Sequence, residues 1–133
     1  MIVLDTHVLV WVAADDRKLG RKTRGLIDRR WAAGHVAVAA ITFWEVALLV
    51  SRGRLELPAP VEEWRMQLLA ASLIELPIDG LTGILAVDLD GLPEDPADRF
   101  IAATALNHGA ALVTADEKLL RWGHALVRHD AHT

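Results

Sequence analysis

MIVLDTHVLVWV, residues 1–12, holds a complete strand-to-helix unit. Ile2, Val3 and Leu4 form an unbroken apolar run, the pattern of a strand buried on both faces. Asp5 and Thr6 interrupt it with polar side chains. Val8–Ala13 then continues as a short helix. A strand buried on both faces needs cover on both sides, so this unit already predicts helices above and below a parallel sheet.

The same unit recurs along the chain. Leu19 to about Ala33 is a basic helix ended by Gly34, and Val36–Ile41 is a second buried strand. Thr42 opens a helix whose apolar face is Phe43, Val46, Ala47 and Val50, spaced at a period of 3.6; Gly53 ends it. After the proline turn LELPAP, Val61–Ala71 is a helix and Leu73–Leu76 a third strand. Asp79–Val87 is helical, Asp88–Pro96 a loop of acids, glycine and proline, and Ala97–His108 a helix stopped by Gly109. Ala110–Val113 is a fourth strand, Asp116–Trp122 a short helix, and Ala125–Val127 a fifth strand; His129–Thr133 is expected to fray. Strands alternate with helices throughout. The expected fold is therefore a three-layer α/β/α domain around a central parallel sheet of four or five strands, with residues 1–133 as a single domain.

Composition narrows the function. With 133 residues the chain is long enough to bury a core without staples. Cysteine is absent, which excludes disulfides, thiolate metal sites and a cysteine nucleophile, and fits a cytoplasmic protein. The apolar fraction of 53% is above the usual range and hints at a self- or partner interface. No apolar run approaches the roughly 18 residues of a membrane span, and the start lacks the basic region of a signal peptide. The formal net charge is −4, yet seven of the fourteen basic residues fall between Arg17 and Arg30. The distribution of charge therefore matters more than its sum.

Four acids share one kind of position, just past an apolar run and at or just inside a helix start: Asp5, Glu45 in AITFWEVALLV, Asp98 in DPADRFIAATA and Asp116 in ALVTADEKLL. Each has a structural reading. Asp5 caps the helix that follows it, and Thr42 to Glu45 fits a capping box. Asp95-Pro96 starts a helix with aspartate at the cap, which leaves Asp98 in the first turn. Thr114 to Glu117 is a second capping box, with Asp116 inside the turn where negative charge suits the helix dipole. The conjunction points elsewhere. In a parallel α/β sheet the carboxyl ends of the strands line one crevice where ligands bind. Four carboxylates there repel one another unless a cation joins them, and hard divalent cations prefer oxygen ligands. The expectation is one or two hard divalent cations and metal-assisted phosphodiester chemistry.

LDTHVLVW at the start, a glutamate on the helix after the second strand, DPADRFIAATA and LVTADEKL together resemble a PIN domain. More narrowly they resemble the VapC ribonuclease toxins of bacterial toxin–antitoxin pairs. The resemblance covers nearly the whole chain, with the landmarks in the family's order and DPADRFIAATA the most specific. It implies a metal-dependent endoribonuclease, homodimeric and inhibited by a cognate VapB-like antitoxin. It implies that Asp5, Glu45, Asp98 and Asp116 bind Mg²⁺ or Mn²⁺ and that Thr6 and Thr114 help to position the site. Asp95 is expected as a cap that supports the site from behind.

The remaining motifs are quieter. There is no dinucleotide or P-loop signature, and the two serines, Ser51 and Ser72, lie outside any G-x-S-x-G setting. The histidines share no metal-ligand spacing; His7 lies near Asp5, either as a structural residue or as a substrate contact. Arg17, Arg21 and Arg24 recur at helical spacing, which suits a solvated face or an RNA backbone contact. Arg99 is expected to pair with an acid or to contact phosphate. Five tryptophans read first as core or interface, with Trp11 and Trp44 next to the proposed site. Two rival functions stand beside the nuclease: a phospho-receiver that collects acids around Mg²⁺, disfavoured because no lysine follows the fifth strand, and a PIN-like interaction scaffold without catalysis.

Overall fold

Five short segments form the strands in the computed structural model, which describes residues 1–133: β1 (Ile2–Leu4), β2 (Val36–Ala39), β3 (Ile74–Leu76), β4 (Ala111–Thr114) and β5 (Arg128–Asp130). Seven helices alternate with them: α1 (Thr6–Ala14), α2 (Arg21–Ala32), α3 (Ile41–Ser51), α4 (Val61–Ala70), α5 (Gly80–Val87), α6 (Pro96–Asn107) and α7 (Glu117–Arg121). The strand order is β3-β2-β1-β4-β5 and every pairing is parallel. The expected three-layer fold is therefore present. A phospho-receiver has the order 2-1-3-4-5, so the topology removes that rival.

The period of two decides which core each strand residue joins. Ile2 and Leu4 face one layer and Val3 the other; Val36 and Val38 oppose Ala37 and Ala39 in the same way. One layer packs α1 to α4 residues such as Leu9, Ile27, Val46 and Trp64 against the sheet. The other is built on α6, whose Ala102, Ala103 and Ala105 are wholly buried with Ile101. Small residues on the helix, facing Ala37 and Ala39, let it approach the sheet closely. Any added methylene there would have to displace a packed neighbour.

Several boundaries differ from the sequence expectation. β2 ends at Ala39, and Ile41 already belongs to α3. The fifth strand is Arg128–Asp130 rather than Ala125–Val127. It is an edge strand, so one side faces solvent and its sequence need not be apolar. Its register, with Thr114 opposite Asp130, follows from the β4 ladder. Arg128 supports it by donating to the carbonyls of Leu119, Trp122 and His124.

The tail after β5 is docked, not frayed. Gly20 N–H donates to the Ala131 carbonyl at 2.8 Å, Lys22 N–H donates to the Thr133 carbonyl at 3.2 Å, and Ala131 is fully buried. On the opposite side, α5 leaves Leu81, Ile84 and Val87 exposed along one stripe. No helix is long and apolar enough to cross a membrane.

Candidate metal and active site

β1 and β4 are neighbours at the centre of the sheet, and the chain leaves them in α1 and α7 at the same edge. That edge is a topological switch point, because β2 and β3 lie on one side of β1 and β4 and β5 on the other. A cleft of about 540 Å³ opens there, and Asp5, Glu45, Asp95, Asp98 and Asp116 all line it. The four sequence-predicted acids are thus brought into one cavity, and Asp95 joins them as a fifth. Lys18 is the one lysine or arginine in the lining.

Asp5 sits deepest, only 6% exposed. Its backbone N–H donates to the Val113 carbonyl at 2.9 Å, which fixes it at the end of the sheet. Its Oδ1 accepts the Thr6 N–H at 2.8 Å and its Oδ2 accepts the Thr114 hydroxyl at 2.7 Å. These donors favour the charged carboxylate, but burial outweighs them and holds the Asp5 pKa above its ordinary value.

Thr6 points to α3. Its hydroxyl donates to Glu45 Oε1 and lies 3.1 Å from the Thr42 hydroxyl. A hydroxyl has one hydrogen, so Thr42 is the donor to Thr6 and the chain runs Thr42 to Thr6 to Glu45. The capping box expected from Thr42 to Glu45 does not form: α3 begins at Ile41 after Ala40, with no side-chain cap. Both polar side chains instead serve the cleft. Burial, with Asp5 and Asp95 nearby, raises the Glu45 pKa despite the Thr6 bond.

The Thr114–Glu117 box is likewise replaced. Asp116 is itself the cap of α7 and accepts the Lys118 N–H at 2.8 Å, while Thr114 accepts the Asp116 N–H at 3.0 Å. Thr114 therefore links two acids, one by giving a hydrogen and one by taking it. Asp95 caps α6 as expected, accepting the Asp98 N–H at 3.2 Å, with Pro96 starting the helix.

Asp98 carries the electrostatic record of the cleft. Burial, followed by repulsion from Asp5, Asp95, Asp116 and Glu45, pushes its pKa up to about 7. Four separate acids acting on one carboxyl is the signature of convergence, which helix capping does not require. The carboxylates nevertheless stand apart: no three Asp, Glu or His side chains are placed at metal-holding distance of one another. The donor set is all oxygen and densely anionic, which suits a hard divalent cation.

The arginines fall elsewhere. Arg17 and Arg21 are exposed on the outside, and Arg24 pairs with Asp15 and donates to the Asp16 carbonyl. None of the three lines the cleft. Arg99 finds no acid partner. Its guanidinium donates to the carbonyls of Ala86, Leu92 and Pro93 at 3.0, 2.7 and 3.1 Å, and so holds the acidic loop against α6. Thr42 and His132 are the residues at the site that sequence reasoning misses: Thr42 fits a cap by spacing, and His132 lies in the segment expected to fray.

A PIN domain profile matches residues 2–124. Ribonuclease VapC22 of Mycobacterium tuberculosis is 38% identical over 124 residues, spanning 92% of this chain and 92% of that one. Among solved structures, VapBC2 from Rickettsia felis bound to a promoter DNA fragment is similar with a TM-score of 0.72 at 17% identity, covering 98% of each chain. DNA-bound VapBC from Salmonella typhimurium is similar at 0.67 and 17%, covering 97% of this chain and 96% of that one. Strand order, acid cleft and sequence kinship agree, and the chain belongs to the PIN domain family.

Proposed function

We propose that this chain is a metal-dependent endoribonuclease, the toxin of a VapBC-type toxin–antitoxin pair, acting in the cytoplasm on RNA. The observation that carries the reading is the five-carboxylate cleft, in which burial and then the repulsion of its neighbours push the Asp98 pKa up to about 7. Kinship to a chain named as a ribonuclease supplies the reaction class.

Asp5 and Asp98 would hold a principal Mg²⁺ or Mn²⁺ ion, and Glu45 and Asp116 a second ion or the attacking water. A divalent cation bound there lowers the pKa of water and offsets negative charge that builds on a phosphate. The protein's own share is positioning. Thr114 and the Thr6 N–H lock both oxygens of Asp5, and Thr6 locks one oxygen of Glu45, so neither carboxylate is free to rotate away. Asp98 gives up its proton to solvent as positive charge enters. No side chain needs to become covalently attached, since no activated nucleophile faces the cleft.

Two partners follow from the same reading. A VapB-like antitoxin that brings basic residues would neutralise the acidic cleft and block it. A second copy of the chain is supported by the exposed Leu81, Ile84 and Val87 stripe, which is too apolar to be left in water without consequence.

The test is cleavage of total RNA by the antitoxin-free protein with Mg²⁺ or Mn²⁺, with EDTA, and by Asp5→Asn and Asp98→Asn. Discrete fragments that disappear with EDTA and with either variant are expected. Intact RNA from folded, metal-supplied wild type would leave a non-catalytic scaffold instead.

A further inference from the structure

One wall of the cleft is not acidic. Trp11 on α1 lies at a tilt against His132 of the tail, with ring centroids 5.3 Å apart, and the His7 ring stands 6.5 Å from Trp11. All three rings line the same cavity as the acids, together with Lys18. Trp11 is only partly buried, while His7, Lys18 and His132 are exposed. Trp11 packs against the core of the α1–α4 layer with part of its ring and borders the anionic cleft with the rest.

The wall is also rigid. His132 Nδ1 lies 3.0 Å from the Lys18 carbonyl. A carbonyl only accepts, so Nδ1 carries the hydrogen and the ring is held by it. The tail that presents His132 is pinned at Gly20, Lys22 and Thr23, the last through its hydroxyl to the Asp130 carbonyl at 2.8 Å. Gly20 is required for this: a Cβ there would fall inside the backbone of His132 and Thr133. The strand and turn that complete the sheet thereby also fix the His132 ring beside Trp11.

We infer that Trp11 and His132 form a shelf on which one unpaired base of the bound RNA stacks, with Lys18 at its rim for the adjoining phosphate. Stacking on an aromatic face needs a base that is out of a duplex, and it is tolerant of base identity. A lone cation at the rim is what a polyanion requires to enter a cleft that otherwise repels it. This deepens the ribonuclease reading and rests on it.

The experiment uses the full chain carrying Asp98→Asn, which binds without cutting, and a fluorescein-labelled single-stranded oligoribonucleotide followed by anisotropy in Mg²⁺. Adding Trp11→Ala is expected to weaken binding about tenfold and Trp11→Phe less, in line with the loss of one stacked base. His132→Ala and Lys18→Gln, both on exposed side chains, are each expected to weaken it about threefold and keep the inference decidable if Trp11→Ala fails to fold. An oligonucleotide with one abasic position is expected to lose the same factor, and Trp11→Ala to add nothing to that loss. In the cleaving background the same variants raise KM and leave kcat within about twofold. Unchanged binding and KM in all variants, with wild type cleaving RNA, overturns the shelf and leaves the nuclease standing. A loss of affinity for an antitoxin peptide but not for RNA also overturns it, since the wall then serves the partner. No RNA binding and no wild-type cleavage removes both readings together.

Discussion

The Thr114 hydroxyl lies 2.7 Å from Asp5 Oδ2 across 109 residues of sequence, joining the end of β4 to the end of β1. Thr114→Val keeps the shape and removes the donor. The buried Asp5 carboxylate then lacks its strongest partner, which costs about 1–3 kcal/mol of stability. Cleavage is expected to fall about 10–100-fold, the usual loss when a group that orients a metal-binding side chain is removed. Thr114→Ser restores most of both. Thermal melts and kcat/KM measured on the two variants decide it, and equal activity in Thr114→Val would remove Thr114 from the site.

Asp98 predicts a pH dependence for the metal-free protein. Its folded pKa of about 7 lies above the ordinary value of 3.8, so the folded chain binds that proton more tightly than the unfolded chain. Stability from this group is complete below about pH 4 and is lost as pH rises through 7. The Tm in EDTA is expected to fall between pH 5 and pH 8, and Asp98→Asn to flatten that slope. A wild-type slope equal to that of the variant would contradict the assignment.

Adding Mg²⁺ or Mn²⁺ reverses the loss at high pH. Stabilisation by a ligand that binds only the folded chain is about 2.7 kcal/mol at one hundred times its Kd. Because the cation displaces the Asp98 proton, binding near pH 7 is expected to release about half a proton. Calorimetry in buffers of different ionisation enthalpy reads this directly. Binding with no proton release would place the cation away from Asp98.

Arg99 offers a contrast between structural and RNA-binding roles. Its guanidinium donates to the carbonyls of Leu92 and Pro93 in the loop and of Ala86 in α5, all within 3.1 Å, and lysine cannot reproduce that planar fork. Arg99→Lys keeps the charge yet is expected to lose about 1–3 kcal/mol of stability, with the salt dependence of RNA binding unchanged. A shallower salt slope with full stability would make it a phosphate contact.

Gly20→Ala tests the docking of the tail. The new Cβ would overlap the backbone of His132 and Thr133, and backbone cannot rotate away as a side chain can. A loss of about 1–3 kcal/mol is expected, with faster amide exchange at Ala131 and Thr133. Protected amides in the variant would show that the tail has other room to lie in.

Much of this was legible in advance. Apolar triplets and quartets buried on both faces, each followed by a helix, announced a parallel sheet, and the four acids at helix starts announced the crevice. The misplaced elements have local reasons. Arg128–Asp130 is polar because an edge strand is stabilised by its ladder to β4 and not by burial of its own side chains. Thr42 and Glu45 matched a capping box in spacing, but Thr6 offered both a better partner than the backbone of α3.

By itself the sequence determined the layer architecture and placed four acids at helix starts, because hydrophobic period and helix-start chemistry are local properties written within a dozen residues. Only the tertiary structure decided what those acids experience. The rise of Asp98 to about 7 requires Asp5, Asp95, Asp116 and Glu45 in one low-dielectric cleft, and no local pattern encodes that distance. The strand order that brings β1 beside β4, and the docked tail that sets His132 against Trp11, are likewise long-range outcomes of how the two cores pack.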